Sequence, residues 1–155
     1  MLERTAERIR PFGWHIQLLV DARTLPALAP RLHRLDVPIV FDHMGHVPTD
    51  AGLNDPGFRI LLELLRDGRY WTKLSGAYRI SEHAPDYRDV TPFARALVEA
   101  APEHLVWASD WPHPAIAGPM PNDGALLDLL AYWAPEAGVR ERILVNNPAR
   151  LYDAT

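Results

Sequence analysis

The residue types able to do chemistry in this chain gather just past short apolar runs. Asp110 follows Leu105–Ala108 and Ser109, and Trp111-Pro112-His113-Pro114 comes next. Pro112 and Pro114 cannot continue a hydrogen-bonded ladder, so a strand over Leu105–Ala108 has to end where the acid stands. The same placement recurs upstream. Asp42-His43 closes the run that starts at Val37, Ser75 closes the run from Tyr70 with Arg79 shortly after, and His15 and Gln17 lie in Trp14–Val20. A carboxylate at the carboxyl end of a buried parallel strand is where α/β sheets and barrels keep their chemistry. Ionised at neutral pH, it can take a proton from a water set against it. By residue type alone, Asp110 is equally a loop cap, His43 a core imidazole bonded to backbone, and Arg79 a surface cation.

The elements that must position these groups repeat one unit four times: apolar strand, polar strand end, loop, amphipathic helix. In Trp14–Val20, alternation puts Ile16, Leu18 and Val20 on one face and His15, Gln17 and Leu19 on the other. In Val37–His43, Ile39, Phe41 and His43 point one way, Val40 and Asp42 the other. Lys73 and Ser75 share a face of the third strand, where an inward Lys73 would need a partner. Thr24 is placed to cap a helix with Leu25, Leu28, Ala29, Leu32 and Leu35 as its apolar stripe. Asp55-Pro56 starts a second, with Phe58, Leu61, Leu62 and Leu65 on one side and Gly68 at its end. Phe93, Ala94, Leu97 and Val98 mark a third. Asn122-Asp123 opens a fourth, apolar at Leu126, Leu127, Leu130 and Trp133. A helix tail ends at Pro11 and Gly13, a last helix spans Pro135–Val145, and Asn147–Tyr152 forms a closing turn. Trp107, Trp111 and Trp133 are assigned to the core. Strands alternating with helices in this way predict βαβ crossovers and a parallel α/β sheet.

Composition bounds what such a sheet can be for. At 155 residues and 48% hydrophobic content the chain can bury one ordinary core, so one domain over 1–155 is expected. A formal charge of −4 gives no basic footprint for nucleic acid. With no cysteine there are no disulfides, thiolate nucleophiles or thiolate metal sites, which fits a reducing cytoplasm. Met1–Arg10 alternates charge unlike a signal peptide, and no apolar run approaches the roughly 18 residues needed to span a bilayer. There is no Gly-x-Gly-x-x-Gly and no Walker Gly-Lys-Ser/Thr, so nucleotide binding loses its usual support. Four units are half of a closed eight-stranded barrel, for which about 250 residues is typical.

Five stretches together carry a resemblance: Gly13-Trp-His-Ile-Gln17, Phe41-Asp-His-Met-Gly45, Trp71-Thr-Lys-Leu-Ser-Gly-Ala-Tyr-Arg79, Trp107-Ala-Ser-Asp-Trp-Pro-His113 and Asn146-Asn-Pro-Ala-Arg-Leu-Tyr152. In type and order they resemble the amidohydrolase-2 family, most of all its branch of 2-pyrone-4,6-dicarboxylate lactonases and related sugar lactonases. The resemblance implies a distorted (β/α)8 TIM barrel, of which this chain supplies the carboxyl-terminal half. It implies hydrolysis of a lactone or carboxylated cyclic ester by water. Asp110 would be the base on that water, and His43 would lie beside the substrate carbonyl as hydrogen-bond donor or metal ligand. Arg79 would grip a substrate carboxylate, a task that suits its planar fork, and His15, Gln17 and His113 would line the site. Lactonases of this branch need no metal, whereas decarboxylases of the wider superfamily use one, often zinc. Only His43 and Asp110 stand where ligands would, and a catalytic zinc takes three. The family's first strand ends in a His-x-His pair, and no such pair occurs here. The chain is therefore expected to be a fragment, or a half barrel completed by a second copy or another polypeptide, since a lone half exposes two strand edges and an apolar inner face. A module without catalysis is the alternative from a different class.

Overall fold

The structure, a computed structural model, describes residues 1–114, 116 and 118–153, so Ala115 and Ala117 of the loop after Asp110 lie outside the described residues. Four strands form one parallel sheet in chain order: β1 (Ile16–Leu18), β2 (Ile39–Phe41), β3 (Tyr70–Leu74) and β4 (Leu105–Trp107). Ile16 is level with Ile39, Val40 with Trp71, and Thr72 with Leu105. The strands are shorter than the apolar runs because ladder pairing stops before the polar strand ends.

Helices α2 (Leu25–Leu32), α3 (Pro56–Arg66), α5 (Thr91–Ala100) and α6 (Asp123–Trp133) follow the four strands, after α1 (Leu2–Ile9) and with the short α4 (Ala77–Ile80) inserted before α5. The chain closes with α7 (Ala137–Glu141), a wider π turn over Arg142–Asn146, and α8 (Asn147–Tyr152). Asp55 caps α3 by accepting from the N–H groups of Gly57 and Phe58, and Asn122 caps α6 by accepting from that of Ala125. Ahead of α2 the cap is Asp21 rather than Thr24. The Asp21 carboxylate accepts from Arg23 N–H and opens a tight turn over Ala22–Thr24, while the Thr24 hydroxyl donates to the Asp21 carbonyl.

The two faces of the sheet bury different residues. Ile16, Ile39, Phe41, Tyr70, Leu74 and Leu105 face the helices and join their apolar stripes in one core. Val40, Trp71 and Val106 face the other way and meet Leu151 of α8. Helix α8 thus covers part of the concave face. The Arg150 guanidinium lies 4.7 Å over the Trp71 ring, and Asn147 donates to the carbonyls of Pro102 and Leu105 at the start of β4. The expected closing turn is this helix. Two further expectations fail on burial: Trp111 is 74% exposed because the chain reverses at Asp110, and Leu127 is turned out of the α6 stripe at 41%. Among the described residues no strand pairs with the outer edges of β1 and β4, and no helix is long and apolar enough to cross a membrane.

Candidate active site

The carboxyl ends of β2, β3 and β4 converge. Strand alternation alone would turn His43 toward the helices with Phe41, but the backbone does something else. His43, Met44, Gly45 and His46 all take positive φ, 49°, 54°, 75° and 54°, in a left-handed turn that swings the imidazole toward the ends of β3 and β4. Non-glycine residues in this region cost on the order of 1–2 kcal/mol each, and such strain persists where the surroundings over-determine it. Asp110 (φ 68°) and His113 (φ 54°) are placed in the same way after β4.

These turns build a chain of polar contacts. His43 Nδ1 lies 2.9 Å from Ser75 Oγ, and His43 Nε2 faces Asp110 Oδ1 at 3.6 Å, too far for a hydrogen bond. The other Asp110 oxygen, Oδ2, accepts from Tyr78 Oη and Arg79 Nε, both at 2.5 Å. His113 is 2% exposed, with Nδ1 3.3 Å from Tyr78 Oη and Nε2 3.0 Å from Asp123. Arg79 also donates from Nη2 to the Pro114 carbonyl, so the guanidinium ties the two loops together; Nη1 makes no protein hydrogen bond among the described residues.

Charge follows from these contacts. Burial works to raise the Asp110 pKa, but the Arg79 and Tyr78 donors and the facing His43 outweigh it, holding the carboxylate below its ordinary value. Burial pushes the His43 imidazole below its ordinary value against the pull of Asp110 and Asp42, so it is neutral at neutral pH. Burial, with the bond to Asp110, raises the Tyr78 phenol to about 12. The cluster is therefore an ionised carboxylate with one oxygen holding two donors and the other without a hydrogen-bond partner among the described residues, beside a neutral imidazole.

Of the residues expected at the site, Asp110, His43, Arg79 and His113 come together. Gln17 lies lower on the concave face and donates to Asp42 Oδ2 at 3.1 Å. His15 precedes β1 at the opposite end of the sheet, edge-on to Tyr152 at 5.5 Å, away from the cluster. The sequence does not single out Tyr78, and it marks Ser75 and Asp42 only as strand-end residues. Lys73, expected to need a partner if inward, is the ion-pair partner of Asp42 at 3.1 Å. A signal for that pair was present, since an inward lysine in a strand demands a nearby acid.

An acid, an imidazole and a guanidinium thus meet at the carboxyl ends of a four-stranded parallel α/β sheet, the arrangement of half a (β/α)8 barrel. A family model for amidohydrolases matches residues 1–154, and the chain belongs to that family. It is 44% identical over 154 residues to a 4-sulfomuconolactone hydrolase of Rhizobium radiobacter, covering 98% of this chain and 52% of that protein. It is 38% identical over 160 residues to a 2-pyrone-4,6-dicarboxylate hydrolase of Comamonas testosteroni, covering 97% and 52%. A crystal structure of an Agrobacterium tumefaciens protein superposes with a TM-score of 0.86 at 33% identity, over 97% of this chain and 54% of that one. The chain thus spans about half the length of the curated relatives it matches.

A Burkholderia multivorans amidohydrolase, 25% identical with a TM-score of 0.80 over 97% of this chain and 56% of that one, was solved with bound zinc. Among the described residues here, no three His, Asp, Glu or Cys side chains gather at metal-binding spacing. His43 and Asp110 are two donors where a catalytic zinc ordinarily takes three from protein. The residues present do not by themselves form such a centre.

Proposed function

We propose that this site hydrolyses a lactone or related carboxylated cyclic ester by direct attack of water. The observation that carries the reading is the division of labour on Asp110. Its Oδ2 is held by Arg79 and Tyr78, while Oδ1 has no hydrogen-bond partner among the described residues and faces His43 Nε2 across 3.6 Å. Water hydrogen-bonded to Oδ1 gives its proton to that oxygen as its own oxygen bonds to the lactone carbonyl carbon. His43 donates a hydrogen bond to the carbonyl oxygen as negative charge grows there. The ring C–O bond then breaks, and the proton held by Asp110 passes to the leaving ring oxygen, giving a hydroxy acid. Both named relatives act on lactones that carry further acidic groups, a carboxylate or a sulfonate, and a cationic Arg79 at the mouth suits an anionic substrate.

Completion of the site is part of the proposal. The open edges of β1 and β4 suit further parallel strands, and we infer that the working form closes them. A second copy would do so by pairing β4 of each chain with β1 of the other about a two-fold axis, and a polypeptide carrying the amino-terminal half would do so too. A cysteine-free chain suits the reducing cytoplasm, which we infer as its place of action.

The test is native mass together with turnover of 2-pyrone-4,6-dicarboxylate, 4-sulfomuconolactone and simple lactones, with and without chelator. Chelator-insensitive turnover by a dimer supports the proposal. Turnover that needs stoichiometric zinc points instead to a metal-dependent hydrolase or decarboxylase. No turnover from a folded monomer points to a module without catalysis, the reading that the unpaired strand edges favour.

A further inference from the structure

We propose that Ser75 is a positioning residue, whose hydroxyl donates to His43 Nδ1 and so holds the imidazole as the tautomer with its proton on Nε2, presented to the substrate carbonyl; the role in turnover rests on the hydrolytic reading above. Three observations lead there.

The first is geometric. Ser75 is 3% exposed, and its Oγ lies 2.9 Å from His43 Nδ1. A hydroxyl can donate or accept, so this contact alone does not choose the tautomer.

The second observation makes the choice. The charged and titratable groups that act on the ring are Asp110, Asp42, Arg79 and His46. The one in line with Nε2 is Asp110 Oδ1, 3.6 Å away. An ionised carboxylate only accepts, so it favours a proton on the nitrogen that faces it. With Nε2 protonated, Nδ1 of a neutral ring holds a lone pair, and the Ser75 hydroxyl fills it by donating. The opposite tautomer would aim an Nε2 lone pair at the carboxylate and leave nothing to donate to a carbonyl oxygen.

The third observation is the seat. Gly76 follows Ser75 at φ +63°, and a Cβ there would come within 2.8 Å of His43 Nδ1, 2.9 Å of its Cγ and 3.1 Å of Arg79 Cδ. The ring and the arginine stem pack directly on the backbone beside Ser75. The hydroxyl is therefore the polar group this seat offers to Nδ1, and with Asp110 facing Nε2 it is the donor of that contact.

The test reads the ring directly and does not depend on turnover. In 15N-labelled, chelator-treated full chain near pH 8, proton–nitrogen correlation spectra of the histidine rings report which nitrogen carries the proton. His43 is assigned by loss of its pattern in His43→Gln. The expected result is an Nε2–H tautomer with Nδ1 shifted as a hydrogen-bond acceptor. In Ser75→Ala, Nδ1 should move to the position of a free lone pair and the tautomers should mix; Ser75→Thr should restore the wild-type pattern. An Nδ1–H tautomer in the wild type, or identical patterns in wild type and folded Ser75→Ala, overturns the proposal.

The kinetic arm separates the two claims. If lactone turnover is observed, Ser75→Ala should lower kcat about tenfold, the worth of one net hydrogen bond, with KM unchanged and threonine restoring it. If no lactone is turned over, the hydrolytic reading fails, while the spectra still decide the role of Ser75.

Discussion

Asp42 Oδ1 and Lys73 Nζ meet at 3.1 Å on the concave face of the sheet, both side chains largely buried. The register Val40 to Trp71 and Phe41 to Thr72 carries forward to bring residues 42 and 73 level. Gln17 completes the group by donating to the second Asp42 oxygen. Removing one member of a buried pair strands the other's charge, which costs about 3 kcal/mol or more, whereas replacing both by neutral side chains costs far less. Lys73→Met should therefore lower stability by about 3 kcal/mol, and Asp42→Asn in the same chain should recover most of it. Urea unfolding of the two single variants and the double variant checks this, and additive losses would dissociate the pair.

Gly76→Ala should disable the site more than it unfolds the chain. The new methyl would press on the His43 ring and the Arg79 stem. A non-glycine residue at that φ costs on the order of 1–2 kcal/mol, while displacement of a catalytic group by about 1 Å can cost on the order of 100-fold in rate. Turnover falling about 100-fold with a Tm shift of only a few degrees is the expected pattern.

Asn147→Ala should act on β4. The Asn147 amide donates to the carbonyls of Pro102 and Leu105, and the residue is 2% exposed. Its loss leaves one buried and one half-buried acceptor without that donor, at about 1–3 kcal/mol for a buried group left unsatisfied. Amide exchange should quicken first in β4 and α8, whereas a uniform loss of protection would assign the residue to global stability instead.

Acid should weaken the fold well before the carboxylates titrate. His15, His43 and His104 all sit below the ordinary histidine value, with burial the leading cause in each. In the unfolded chain they would take protons near pH 6.5, so below that the unfolded state binds more protons and stability falls as pH drops toward the folded values. The depressed Asp110 adds a loss only below its ordinary value near 3.8, as pH falls toward its folded one. The urea midpoint should fall between about pH 7.5 and about pH 5.5, and His104→Gln should flatten that slope. A midpoint that rises over the same interval would contradict the assignment of these rings as desolvated and neutral.

Much of the fold is legible because it depends on side-chain periodicity. The alternation of Ile16 and Leu18 against Gln17, and of Ile39 and Phe41 against Val40, sorts the two faces of the sheet, and Asp55 and Asn122 announce their helices. Asp110 is legible because prolines end its strand. His43 is legible as a residue but not as a direction, since alternation points it to the wrong face and a left-handed turn through non-glycine residues leaves no mark in composition. Tyr78 carries no mark of its role in sequence, since only the turn after β3 brings its hydroxyl to Asp110. The Asp42–Lys73 pair depends on the register between β2 and β3, which no single strand encodes.

The central claim is that Asp110 Oδ1 activates water, and the most direct measurement is kcat/KM of Asp110→Asn against wild type on 2-pyrone-4,6-dicarboxylate, in the same assembly state and with chelator present. Asparagine keeps the shape and can still accept from Tyr78 and Arg79, but it cannot take the proton. A fall of about 100-fold to 10,000-fold at an unchanged melting temperature is predicted, the range for a lost general base. Turnover within a few-fold of wild type would contradict the account and move the base elsewhere.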